Sequence, residues 1–273
     1  MFPVVHAAAL ASLPATSPSP SSVPSPTPSD PCGSILSIVN RPTIGTGVCT
    51  VRSGKFDIEN GYTNAIATGP GGGYSVAYPQ TLLRIGTANS RLDVEIGAPV
   101  YSVANFAGAR TVGWSDLSVG TKYELGFDAK ADWGVNVVAT LPTGNTAFSA
   151  GHAQTSANFN WSYTLNAEFG LSGTVGANDF SGYDTAGNQR SYFALLPTIE
   201  LSAALPGGPS QISAEYAYFS QAGPGLGAKS VADFVYARDF GARLQLDVEY
   251  GFSPTPVNGQ RQHYFGAGLS FMN

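Results

Sequence analysis

The segment RLQLDVEYGF, residues 243–252, alternates between two chemistries at every step. Leu244, Leu246, Val248, Tyr250 and Phe252 fall on one side of an extended chain; Arg243, Gln245, Asp247, Glu249 and Gly251 fall on the other. Successive side chains of a strand point to opposite faces, so this segment predicts one oily and one charged face. The pattern recurs in KFDIENGYTNAI, RLDVEIGAPV, DLSVGTKYEL, NFNWSYTL, QISAEYAY and QHYFGAGLSF. YSVAYPQTLLRIG, WGVNVVATLP, FGLSGTVGA, SYFALLPTIEL and SVADFVYAR alternate less cleanly but still read as strands. Together they make about twelve strands, near the 9–11 residues that cross a bilayer at a tilt.

Composition decides which solvent the oily faces meet. Charged residues make up only 11% of the chain, against roughly 25% in an ordinary soluble domain. A soluble β-sandwich also alternates, but its outer faces need solvating charge. Aromatic residues crowd the strand ends at Tyr62, Trp114, Trp133, Trp161, Tyr163, Phe169 and Phe252, where rings favour the headgroup level of a membrane. No run reaches the roughly 18 apolar residues of a membrane helix, so a spanning chain must span by strands. The expected fold is therefore all-β: a closed antiparallel transmembrane barrel of about twelve strands in the bacterial outer membrane, with the lipid bilayer as partner. The net charge of −5 argues against a nucleic-acid partner. Connections such as SVANFAGARTVG, TGNTAFSAGH and NDFSGYDTAGN read as longer outside loops, and ANS, NAE and DFGA as short periplasmic turns.

Three regions follow. Residues 1–31 combine a signal-like apolar start, lacking a basic n-region, with a Pro/Ser linker. Residues 32–52 read as a periplasmic segment before the barrel, and residues 53–273 as the barrel itself. Cys32 and Cys49 lie close together in a chain read as exported, so the simplest pairing is one disulfide at the periplasmic mouth. Metal ligation by this pair is a poor alternative, with no second pair and no nearby histidine.

The order and spacing of several segments carry a resemblance. NRPTIGTG, SGKFDIENGYT, YPQTLLRIG, RLDVEIGAPVY, WSDLSVGTKYEL, VNVVATLPTGN and the ending HYFGAGLSF, over residues 40 to 273, are similar to the outer-membrane transporter family named for the meta-pathway of phenol degradation. The resemblance implies a β-barrel channel or transporter taking up aromatic or hydrophobic compounds, and it brings no catalytic residues.

The inward faces supply the candidate site. The lumen-lining candidates are Asp57, Glu59, Arg84, Asp93, Glu95, Asp116, Lys122, Glu124, Glu215, Asp233, Arg243, Asp247 and Glu249. Glu200, Arg91 and Arg238 are further inward candidates. Acids outnumber bases in this set, so an open lumen should favour cations or neutral solutes. The opposing reading is that these charges pair and plug a structural barrel. An enzyme on the barrel rim, such as a phospholipase, is a second alternative needing a serine nucleophile and a histidine base. Of His6, His152 and His263, only His263 shares a strand with a candidate serine. That serine, Ser270, is seven residues off, about 23 Å along an extended chain. No G-x-S-x-G elbow occurs, so the expectation is a non-enzyme. GPGLGAKS, with Ala228 where a phosphate loop needs glycine, indicates no cofactor.

Overall fold

The structure is a computed structural model and describes residues 30–184, 188–257 and 259–273. The signal-like start and most of the Pro/Ser linker lie outside the described residues. A single turn of helix, α1 (Ile35–Ile38), is capped by Ser34, whose hydroxyl accepts from the Ser37 amide. Strands then follow to the C-terminus: β1 (Phe56–Thr68), β2 (Gly73–Tyr78), β3 (Leu82–Gly86), β4 (Leu92–Gly97), β5 (Tyr101–Phe106), β6 (Ala109–Trp114), β7 (Leu117–Phe127) and β8 (Ala131–Leu141). The second half holds β9 (Gln154–Thr164), β10 (Phe169–Tyr183), β11 (Gln189–Ala204), β12 (Ser210–Phe219), β13 (Lys229–Phe240), β14 (Leu244–Phe252) and β15 (Arg261–Met272). All pairings are antiparallel, and β15 closes on β1 from Asp57↔Met272 to Thr68↔Arg261.

The fifteen segments make a closed barrel of twelve strands, because β2 with β3, β4 with β5 and β6 with β7 are each one interrupted strand. β1 shows the division: its first half pairs with β3 and its second half with β2. Interruptions fall at Pro79–Thr81, Ala98–Val100 and Ser115–Asp116. Pro79 and Pro99 lack the N–H that a ladder needs, which accounts for two of the three breaks.

Lipid-facing and inward residues alternate along each strand. On β14, Leu246, Val248 and Tyr250 are exposed while Gln245, Asp247 and Glu249 are buried. In this fold the buried face is polar and the exposed face oily, the reverse of a soluble domain. The start of β1 and the end of β15 share one rim with short turns at residues 128–130, 165–168 and 241–243. That rim is the periplasmic one.

Two expectations about loops are corrected. SVANFAGARTVG is not a long loop but the β5–β6 hairpin, turning at Ala107 and Gly108, both at positive φ. NDFSGYDTAGN is largely strand, since β10 runs to Tyr183 and β11 starts at Gln189. The outward connections of substance are residues 142–153, 220–228 and 253–260.

Candidate functional site

The segment read as lying before the barrel at its mouth is instead inside it. Residues 39–51 run through the lumen and hydrogen-bond to inward side chains from around the wall. Glu59 of β1 accepts from the Asn40 and Arg41 amides, both at 3.1 Å. Glu215 of β12 accepts from the Ile44 and Gly45 amides at 2.7 and 2.8 Å. Thr46 bonds to Thr174 of β10 and Asn160 of β9. Lys122 of β7 donates to Asn40 Oδ1 and Gly47 O, and Asp93 of β4 accepts from the Val51 amide at 2.9 Å. This is a plug. Its physical basis is plain: an irregular backbone in a barrel must have its N–H groups met, and inward carboxylates meet them.

A disulfide with Cα atoms 5.3 Å apart ties Cys49 of the plug to Cys32 ahead of it. The pair sits in an apolar cluster with Ile35, Ile38, Val39, Val51 and Met272. Arg52 bridges to Asp30 and to Glu124, the latter at 2.7 Å. Arg84, fully buried, ion-pairs with Asp93 at 2.7 Å and lies 3.7 Å from Glu59 and 3.5 Å from Glu95. It also donates to the Ile38 and Cys49 carbonyls, so one guanidinium joins wall and plug. Arg41 reaches the neighbouring stretch of wall, 3.6 Å from Asp247 of β14 and 3.1 Å from Gln80 in the break between β2 and β3. Gly61 and its register partner Gly268 leave the room it occupies, since a Cβ on either would collide with its guanidinium.

The sequence candidates divide accordingly. Asp57, Glu59, Arg84, Asp93, Glu95, Lys122, Glu124, Glu215, Asp233, Asp247 and Glu249 are buried on inward faces. Asp233 accepts from Tyr264 Oη at 2.8 Å. Asp116 lies in the break between β6 and β7, and its oxygens accept the Gly144 and Ala150 amides at 2.8 and 2.9 Å. Arg243 is a correction: it is exposed in the turn before β14, one residue short of the alternating strand. Arg91 and Arg238 are likewise exposed, the latter stacked over Phe240. The inward cations that sequence reasoning missed are Arg41 and Arg52, both on the N-terminal segment rather than on a strand.

The plug divides the lumen. On the outer side lies a chamber of about 660 Å³, walled by Leu82, Val100, Ser115 and Thr140 and roofed by Phe148 and Tyr183. On the periplasmic side lies a smaller space of about 330 Å³. Arg41, Thr43, Gly45 and Thr46 line both, so these four residues belong to the septum.

All three strand breaks contribute residues to the outer chamber. At the same level the ladder β1–β2–β5–β6 ends at β6, which among the described residues has no strand partner on its far side. Residues 142–153 cover that seam instead: Asn145 exchanges bonds with Trp114, its amide at 2.9 Å from the Trp114 carbonyl and its Oδ1 at 2.6 Å from the Trp114 amide. A further recess of about 420 Å³ lies at the seam against Pro99, Trp114 and Asn145. Leading to it is a run of ring contacts: Tyr62–Tyr78 at 6.4 Å, Tyr78–Tyr101 at 5.7 Å and Tyr101–Trp114 at 5.3 Å.

An oily exterior, a polar plugged interior and short turns at the rim where β1 begins and β15 ends define a bacterial outer-membrane β-barrel. The fold is similar to that of an outer membrane channel from Pseudomonas putida F1, at 14% identity and TM-score 0.61, covering 83% of this chain and 97% of that one. It is also similar to the NanC porin, at 10% identity and TM-score 0.51, covering 79% and 98%. A third likeness is to the translocator domain of the autotransporter NalP from Neisseria meningitidis, at 8% identity and TM-score 0.51, covering 81% and 90%. At such identities the likeness is one of fold. No curated protein sequence matches the chain. Residues 39–272 match the family described as putative MetA-pathway of phenol degradation, and the chain belongs to that family.

Proposed function

We propose that the chain is an outer-membrane channel for small hydrophobic or aromatic solutes, which enter the outer chamber through the seam between β6 and β8. The observation that carries this reading is the coincidence of three strand breaks, the chamber they wall and an edge covered by a loop alone. A polar solute crossing straight down the lumen meets the septum. A nonpolar one partitioned into the outer leaflet meets Tyr62, Tyr78, Tyr101 and Trp114 and then the seam. The family's description, which links it to phenol degradation, supports an aromatic solute class.

The acidic bias of the lumen is tempered here, because Glu59, Glu215 and Asp116 each spend both oxygens on backbone amides. Asp247 is offset by Arg41, 3.6 Å away, so Glu249 retains the bias toward cations for whatever ionic leak the septum passes. The rival reading, a barrel sealed by its own contents, is favoured by the same plug hydrogen bonds. Uptake into proteoliposomes separates the two. The channel reading expects toluene or phenol to enter faster than into protein-free vesicles while a sugar of similar size does not. Equal entry with and without protein for every solute would leave only the sealed barrel.

A further inference from the structure

We propose that Ser191 and His152, at the outer rim, form a nucleophile–base pair that cleaves acyl esters. The pair goes beyond the channel reading and stands or falls separately from it. Ser191 Oγ lies 2.8 Å from His152 Nε2, and His152 Nδ1 lies 2.9 Å from the Ala150 carbonyl oxygen. A carbonyl can only accept, so Nδ1 carries the proton. In neutral imidazole that leaves Nε2 with a free lone pair, and Ser191 Oγ–H donates to it. This is the tautomer that a general base needs, with a fixed partner behind it in the place a carboxylate often takes.

The loop that carries the base is held on both sides. Asp116 Oδ2 accepts the Ala150 amide at 2.9 Å, and Gln189 Nε2 donates to the Ser149 carbonyl at 2.7 Å. Asp116 and Gln189 are thus positioning residues for His152. Gln189 also precedes Ser191 by two residues, on the same face of β11.

The surroundings name the ester's class. Ser191 is exposed and sits at the outer end of β11. Below it on the same face follow Phe193, Leu195, Ile199 and Leu201, all exposed to the bilayer. An acyl chain lying along this stripe brings its ester, at the boundary of oil and water, level with Ser191. Attack by Oγ forms the Ser191–acyl bond as the proton passes to Nε2. The ester C–O bond then breaks and the leaving alcohol takes that proton. Water repeats the sequence, giving its proton to Nε2, releasing the carboxylic acid and restoring Ser191.

The test uses the purified full-length chain, folded in detergent and treated with a fluorophosphonate probe, which phosphonylates an activated serine. A single adduct mapped to Ser191 is expected, absent in Ser191→Ala. His152→Gln should slow labelling by about 100-fold or more, the contribution of a positioned general base. A soluble nitrophenyl ester and phospholipid vesicles then locate the substrate: cleavage of the vesicle lipid alone assigns a membrane lipid, and of the soluble ester alone a small ester. No adduct on Ser191 of folded wild-type protein overturns the proposal. So does labelling of His152→Gln at the wild-type rate, or failure to cleave either ester.

Discussion

Two stretches of this barrel's wall are unlike. From β12 to β15 each strand is continuous, and its residues alternate from inward to lipid-facing without interruption. From β2 to β7 each strand is broken once, and the breaks stand side by side. Both stretches obey the same alternation, so the pattern of a strand encodes which way side chains face but not whether its ladder is unbroken. Both stretches hold the plug, Glu215 from the continuous one and Arg84, Asp93 and Lys122 from the broken one. In the broken stretch the wall also gives room, and that room is the outer chamber.

The largest expected effect separates the two stretches by depth. Val248, in the middle of β14, faces lipid. Val248→Arg should cost about 2–4 kcal/mol of folding stability in bilayers, as for arginine at midplane. Val112 is also exposed, but on β6 in the outer extension, and Val112→Arg should cost only about 0–1 kcal/mol, as near the interface. Urea unfolding in vesicles reads both, and equal costs would place the two sites at one depth.

Next come the plug's own fastenings. Replacing Cys32 and Cys49 by serine opens a loop whose ends are 17 residues apart, and should destabilise the plug by about 3 kcal/mol. Amide exchange at residues 40–47 should accelerate while β12–β15 remain protected. Smaller still is Glu215→Gln, which keeps one acceptor for the Ile44 and Gly45 amides but loses the charge. About 1.5–3 kcal/mol of local protection is expected to be lost, the range for hydrogen bonds to charged groups. Exchange at Ile44 and Gly45 alone should respond.

Much of this fold was legible in the sequence, because period-two alternation is written residue by residue in segments such as RLQLDVEYGF. The disulfide was legible from two cysteines. The plug was not, for a physical reason: Glu59 and Glu215 hold it through backbone amides, and a backbone amide leaves no trace in residue identity. Arg41 and Arg52 therefore read as ordinary residues of a leading segment, and Arg243 read as inward although its turn carries it out of the pattern. The breaks were half-legible. Pro79 and Pro99 stand in the sequence, but nothing local says that their strands are neighbours, so the aligned seam appears only in three dimensions. The contact of His152 with Ser191, 39 residues apart and spanning the end of β10, is invisible for the same reason.

The seam can be closed chemically. A Cβ built on Gly113 of β6 would lie 3.0 Å from the Asn145 Cβ, within reach of a disulfide after a small adjustment. In the Gly113→Cys, Asn145→Cys variant, oxidation should staple the covering loop to the strand edge and close the lateral way in. Toluene uptake into proteoliposomes should then fall to the protein-free rate, and reduction should restore it. Uptake that is unchanged by the staple would contradict entry through the seam.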